Sequence, residues 1–213
     1  MKQIILIIAS LTVATSISHA QDFKKKDKWF QGPGKVQLLD GKVLQGLIYY
    51  SFQFSIVQVI KDNKSTGFKS KDVAYFEYDD LGFEKHRKFY SIPYDLDHNG
   101  YKESIFFEVI KELKDVALVK TQYYFNFDLA TGNSERLTEV LYFADNKGEI
   151  KPYLEIVHKL TGATRRLIDK DGIAGVTKRN YYKVKTYIKQ ERLNEKKEED
   201  LVQILEYFDK IRR

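Results

Sequence analysis

The residues best placed to do chemistry sit in one nine-residue stretch, Asp95-Leu96-Asp97-His98-Asn99-Gly100-Tyr101-Lys102-Glu103. Asp95, Asp97 and Asn99 occupy the first, third and fifth positions of a loop, Gly100 at the sixth lets the chain reverse, Tyr101 offers a backbone carbonyl at the seventh, and Glu103 adds an acid at the ninth. Those are the hard oxygens Ca²⁺ takes. Position twelve is Phe106 and not a bidentate acid, so a site here would bind in the weak range of roughly 10⁻⁴–10⁻³ M. The same letters also encode something simpler. Asn-Gly between alternating apolar strands is a hairpin turn that needs no metal, and both readings stand at this point.

Other chemistry has less support. His86, His98 and His158 fall at no metal-ligand spacing, and H-E-x-x-H, G-x-S-x-G and G-x-x-x-x-G-K-[ST] are all missing. With no cysteine, disulfide frameworks, thiol nucleophiles and Cys-ligated zinc or iron are excluded. Acid pairs such as Glu77 with Asp79, or Glu103 with Glu108, have the type of side chain a glycosidase uses. A chain with 30 acids offers many such pairs, and surface solvation accounts for them, so no catalytic residue is assigned.

The aromatics and lysines form the second set of candidates. Among 213 residues there are 15 Tyr and 14 Phe, and several stand next to one another: Tyr49-Tyr50, Phe106-Phe107, Tyr123-Tyr124 and Tyr181-Tyr182. On a strand, neighbours point to opposite faces, so one ring of each strand doublet enters the core and the other faces out. Outward rings at Tyr49, Tyr50, Tyr123 or Tyr124 would make a platform for sugars or a protein partner; the alternative is a second layer of packing under the C-terminal helices. Five basic residues and no acid occupy 178–189, and Lys183 and Lys185 are the candidates for contact with an anionic surface, against the plainer reading of a solvated helix face.

The elements that must carry these residues are legible in outline. Met1-Lys2, an interrupted apolar run through Ala14 and small residues up to Ala20 form the pattern of a secretory signal peptide, with cleavage expected between Ala20 and Gln21. Residues 21–33 read as an extended basic lead-in. From 34 to 158 short alternating segments separated by Asp40-Gly41, Asp62-Asn63, Asn99-Gly100 and Asn146-Lys147-Gly148 predict an antiparallel meander, a sandwich or barrel-like domain, with two subdomains meeting near Asp80 as one option. Residues 159–176 read as a linker or one weak hairpin. In 177–213 the period changes to 3.6, with Leu201, Ile204, Leu205 and Phe208 at i, i+3, i+4 and i+7, which predicts a two-helix hairpin over about 178–193 and 197–211. The fold class expected is α+β, dominated by antiparallel β-sheet.

Three resemblances add to this. The acidic stretch resembles the calcium loops of EF-hand and dockerin modules. Val36-x-Leu38-x-Asp40-Gly41-x-x-x-x-Gly46-x-Ile48 resembles the first motif of Sm-like small barrels, in which a turn glycine and a second glycine five residues on let a strand bend sharply; the match covers some thirteen residues and implies barrel geometry, not RNA binding. More broadly, Trp29-Phe30, Phe68-x-x-x-Asp72-Val73-x-x-Phe76-x-Tyr78, Arg87-x-Phe89 and Phe106-Phe107-Glu108-Val109 look like an uncharacterised family of exported β-rich bacterial proteins, which brings no activity with it. A net charge of +6 is too modest for a nucleic-acid footprint. The expectation is an exported, non-catalytic binding or structural protein of the bacterial envelope, periplasmic or secreted, with Ca²⁺ as the one cofactor to test and a glycan or protein as partner. A carbohydrate-binding module or a glycan-acting hydrolase is the alternative.

Overall fold

The computed structural model describes residues 29–96, 99–125, 136–159 and 162–212. The expected cleavage site at Ala20 and Gln21, and Asp97 of the acidic stretch, lie outside the described residues. The strands are β1 (Trp29–Leu38), β2 (Val43–Ser51), β3 (Ile56–Lys61), β4 (Lys64–Lys69), β5 (Val73–Asp80), β6 (Lys85–Tyr94), β7 (Glu103–Glu112), β8 (Val116–Phe125), β9 (Arg136–Asp145), β10 (Ile150–Lys159) and β11 (Gly162–Leu167). They join in one antiparallel sheet in the order β11-β10-β9-β8-β7-β6-β5-β1-β2-β3-β4. The meander expected from turn chemistry is therefore present, with one departure from chain order where β5 pairs with β1.

Turn residues explain the hairpins. Gly41 has φ +87°, and the Asp40 carboxylate accepts the Lys42 amide at 2.9 Å. Asp62 and Asn63 both have positive φ, 51° and 59°, which is the two-residue turn whose twist matches paired strands. The strand that follows it, β4, was not expected from sequence because Lys-Ser-Thr-Gly-Phe-Lys lacks alternation; only Phe68 packs on the core. β11 lies inside the stretch read as a linker or one weak hairpin, 159–176, and forms a hairpin with β10 along the sheet edge. β1 begins at Trp29, inside the expected lead-in.

The first half of the sheet rolls up. Tyr50 on β2 and Phe89 on β6 are three strand spacings apart, about 14 Å along a flat sheet, yet their ring centroids are 4.8 Å apart. Tyr50 also meets Phe106 on β7 edge-on at 5.8 Å. The sheet from β1 to β7 is thus curled around Val36, Ile48, Tyr50, Phe76, Phe89 and Phe106. Glycine permits the bend: Gly34 and Gly46 are register partners, and a Cβ at Gly34 would lie 2.0 Å from the Glu77 carbonyl oxygen, at Gly46 2.4 Å from that of Ile60. A 3-10 turn, Ser70–Asp72, seals the roll by donating from Ser70 Oγ to the Ser104 carbonyl at 2.5 Å and accepting from Ser91 Oγ at 2.6 Å.

The other half is flatter and carries the helices. After α1 (Ile173–Thr177) and a 3-10 turn at Lys178–Asn180 come α2 (Tyr181–Gln190) and α3 (Glu198–Ile211). The hairpin between α2 and α3 is set at Asn194, whose Oδ1 accepts the Lys196 amide at 3.0 Å while its own amide donates to Asp200 at 2.8 Å. Tyr187 and Tyr207 stack across it, centroids 4.0 Å apart. Val184, Leu201, Ile204, Leu205 and Phe208 are buried against Leu118, Leu141, Tyr153, Leu154 and Ile156, each apolar side chain contributing about 1.5–3 kcal/mol. A register slip between Pro152 and Leu154 lets the consecutive Tyr153 and Leu154 both join this layer. No helix among the described residues is long and apolar enough to cross a membrane.

Between the rolled half and the helix-covered half runs a chain of charges. Glu108 on β7 takes a two-pronged hydrogen bond from Arg87 on β6, Nε to Oε1 at 2.9 Å and Nη2 to Oε2 at 2.7 Å. Arg87 Nη1 reaches Asp80 at 3.3 Å, Lys120 on β8 lies 3.9 Å from Glu108 and 3.0 Å from Glu198 at the start of α3, and Lys85 approaches from the rim at 3.6 Å. Asp80, Arg87 and Glu108 are each no more than 6% exposed. Burial by itself pushes the Glu108 carboxyl up, but the hydrogen bond and charge of Arg87, then Lys120 and Lys85, outweigh it and hold the group below its ordinary value of 4.5. Burial likewise lowers Arg87 and Lys120, and their carboxylate partners reverse this and raise both. Next to the chain, the Tyr78 hydroxyl is fully buried with no hydrogen-bond partner among the described residues.

Two stability measurements follow from this seam. Because the folded carboxyl of Glu108 titrates below its ordinary value, its contribution is complete above about pH 5 and fades as pH falls through the folded value. Glu108→Gln, which removes the carboxylate shared by Arg87 and Lys120 and leaves them Asp80 and Glu198, costs about 3–5 kcal/mol in urea melts at pH 7, and the difference from wild type shrinks on acidification below pH 4.5. Tyr78→Phe behaves in the opposite way: removing an unpartnered hydroxyl leaves stability unchanged or raises it by about 1 kcal/mol, and a loss above that size would show that the hydroxyl is paired in solution.

Candidate functional site

The strand ends build one concave site. Where the last residues of β6 and β8 and the first of β7 approach the β2–β3 turn, they enclose a cavity of about 260 Å³. Tyr50 and Phe106 form its inner wall, and Tyr94 and Tyr123 the side toward β6 and β8. Tyr101 stands at the opening, 79% exposed. Neutral polar groups come from Asn99, Ser104, Thr121 and Gln122, and the lining carries a single carboxylate among the described residues, Glu103. Gln122 is oriented by Glu139, its Nε2 donating to Oε1 at 2.5 Å.

The rings are fixed from behind. Tyr94 packs edge-on against Phe107 and Tyr142, centroids 5.7 and 5.4 Å away, and Phe107 meets Tyr142 at 5.2 Å. That cluster lies on the face of the sheet opposite the rolled interior, so Phe106 and Phe107 are both buried, each in a different cluster. The expectation that one ring of each strand doublet stays outside fails at this doublet because β7 is covered on both faces. Burial raises the phenol of Tyr94, with the Asp95 charge adding to it, and burial raises that of Tyr123, helped by Glu155 and opposed by Arg166. Both hydroxyls are therefore neutral at physiological pH and able to donate as well as accept.

The sequence candidates distribute as follows. Tyr50 and Tyr123 meet in the cavity, although Tyr50 is only 5% exposed and is more core than platform. Tyr49 is half-buried on the other face of β2. The side chain of Tyr124 lies outside the described residues. Lys183 and Lys185 are far along the chain, exposed on α2. Of the acidic stretch, Asn99, Tyr101 and Glu103 border the cavity. Asp95 turns its carboxylate on its own backbone, accepting the Asn99 amide at 3.0 Å and the Gly100 amide at 2.9 Å, while Asn99 Oδ1 accepts the Tyr101 amide at 2.8 Å. Gly100 has φ +88°, as the tight reversal requires. Among the described residues no three His, Asp or Glu side chains are grouped to hold a metal.

Sequence reasoning missed Tyr94, Thr121 and Gln122, which belong to strands and carry no motif. It also read Glu108 as surface solvation. The signal was there: Arg87 shares its face with Phe89, Glu108 with Phe106, and Lys120 with Leu118, so three charges occupy inward positions of alternating strands. None of Asp80, Arg87 and Glu108 lines the cavity.

The loop at Asp95 gives a direct metal test. Its carboxylate holds two amides, so Asp95→Ala lowers stability by about 1 kcal/mol through the turn alone, equally in 1 mM Ca²⁺ and in EDTA. A calorimetric midpoint that rises by several degrees with Ca²⁺ in the wild type, and not in the variant, would instead assign Asp95, Asp97, Asn99, Tyr101 and Glu103 to an ion.

No family model, curated protein or solved structure matches this chain.

Proposed function

We propose that the protein is a non-catalytic binding module of the bacterial envelope whose cavity at the strand ends takes a neutral, polyhydroxylated ligand the size of one or two sugar rings. The observation that carries this reading is the composition of the cavity lining, in which the aromatic residues Tyr94, Tyr101 and Tyr123 stand beside the neutral polar residues Asn99, Thr121 and Gln122. A sugar ring has an apolar C–H face that packs on aromatic rings and a rim of hydroxyls that exchange hydrogen bonds with amides and phenols, so both halves of the lining have work on the same ligand. At about 260 Å³ the space is slightly smaller than typical ligand pockets, which run from roughly 300 to 1,000 Å³. That size suits a terminal residue or a short stretch of a longer chain entering past Tyr101. Export through the leading segment would bring such a module to the polymers of the envelope.

A hydrolase of the usual glycosidase kind needs two carboxyls flanking the bond, roughly 5–9.5 Å apart, and the lining contributes Glu103 alone among the described residues. Titration of the intact protein with neutral mono- and oligosaccharides of the envelope, followed by tyrosine chemical shifts or calorimetry, tests the proposal. Binding should appear, and Tyr101→Ala should weaken it about ten-fold while leaving the melting midpoint unchanged, since that ring is exposed. Absence of binding across the panel rejects the proposal, and polysaccharide cleavage that disappears with Glu103→Gln would replace it with the hydrolase.

A further inference from the structure

Helix α2 is basic on one side and has little to balance it. Tyr181, Val184 and Ile188 pack on the core layer, and at 100° per residue Tyr182 and Lys189 lie within about 20° of each other on the exposed side, with Lys185 on one flank beside Tyr181 and Lys183 about 100° round from Tyr182 on the other; Arg179 stands in the preceding 3-10 turn. All five are exposed, Tyr182 to 81%. Lysines and arginines elsewhere, Lys35, Lys111, Lys120, Arg166 and Arg212, form ion pairs. By contrast Lys178, Arg179, Lys183, Lys185 and Lys189 form none among the described residues, and Lys185 rests over the Tyr181 ring at 5.4 Å. From Gly162 to Lys197 the chain has eleven basic and four acidic side chains, so this segment alone exceeds the net charge of +6 of the whole protein. The first turn of α2 has no acid and Asn180 makes no side-chain cap, which leaves the positive end of the helix dipole uncancelled as well.

We infer that the outward face of α2 is a docking surface for an anionic phospholipid bilayer, with Lys183, Lys185 and Lys189 against headgroup phosphates and Tyr182 at the headgroup level. Charge complementarity selects the sign of the partner. Its shape is selected by the helix: a convex row of separate charges matches an extended charged plane, whereas a single small anion needs a concave site. The aromatic ring selects a bilayer over a soluble polyanion, because a phenol with an apolar body and a polar tip gains from an interface that is apolar on one side and wet on the other. Long lysine stems let the ammonium groups reach phosphates while the helix stays on the sheet. This surface is separate from the cavity at the strand ends.

Co-sedimentation of the intact protein with vesicles tests it. The protein should pellet with vesicles containing about one-quarter phosphatidylglycerol and not with pure phosphatidylcholine, and raising the salt should release it. Each neutralised lysine should weaken binding about five-fold, so Lys183→Gln, Lys185→Gln and Lys189→Gln together should lower the partition constant about a hundred-fold with an unchanged circular dichroism spectrum. Tyr182→Ser should weaken binding several-fold at every salt concentration, because its share is not electrostatic. A control triple, Lys61→Gln, Lys64→Gln and Lys69→Gln, removes the same charge from the exposed β3–β4 hairpin and should bind as wild type does. Equal loss in the control, equal binding to neutral vesicles, or binding to an anionic polysaccharide with none to vesicles would each overturn the inference.

Discussion

The ion pair between Arg87 and Glu108 is the constraint around which the described molecule is organised. Two charges deep in a sheet cost several kcal/mol each to desolvate, and this pair is tolerable only because every neighbouring element contributes to it. Asp80 comes from β5, Arg87 from β6, Glu108 from β7, Lys120 from β8 and Glu198 from the first turn of α3. The chain of contacts thus runs from the rolled interior to the helix layer. Hydrophobic alternation sets which face each strand buries, and a slide by two residues would keep that alternation. A forked guanidinium–carboxylate bond does not tolerate such a slide. The seam adds a directional constraint on register to the one that hydrophobic alternation already sets.

Curvature provides the second organising element. A twisted sheet is a saddle, concave on one face along one diagonal and on the other face along the other. This sheet uses both concavities: one closes around Tyr50, Phe76, Phe89 and Phe106, the other gathers Tyr94, Phe107 and Tyr142. The cavity lies where the two meet, beside the ends of β6, β7 and β8. Its rings are therefore held by strands and by other rings, while Asn99 and Tyr101, on the connection between β6 and β7, supply the adjustable edge. A rigid wall with a short polar rim is what a binding site for a small polar ligand needs, because little ordering entropy is left to lose on binding.

The two faces of the helix hairpin divide the labour in a comparable way. Leu201, Ile204, Leu205 and Phe208 complete the core over β8, β9 and β10, and without them Leu118, Leu141 and Leu154 would be an exposed apolar patch. The outer side of α2 carries its unpaired charge at a cost of only about 0.2–0.5 kcal/mol per like pair, since the side chains are exposed and solvated. Charge of that kind, distant along the chain from the cavity residues, gives the molecule a second surface.

The sequence by itself determined the local structure and the sidedness of the chain. Asp40-Gly41, Asp62-Asn63 and Asn99-Gly100 specify turns because their φ values of +87°, 51° and 59°, and +88° suit few other residues, alternation specifies which side chains leave the sheet, and the 3.6 period of Leu201 to Phe208 specifies a helix with one dry face. These are decided within a few residues by steric limits on the backbone and by the period of each element. It did not reveal β4, and left β11 as either linker or weak hairpin, because neither sequence alternates and both become strands when a neighbour offers unpaired backbone groups. Nor could it show that Tyr50 turns inward to meet Phe89 and Phe106, or that Tyr94, Thr121 and Tyr123 share one cavity. Those facts follow from how far an eleven-stranded sheet curls, and curl is a sum of small twists, glycine contacts and ring packing over pairs that lie tens of residues apart.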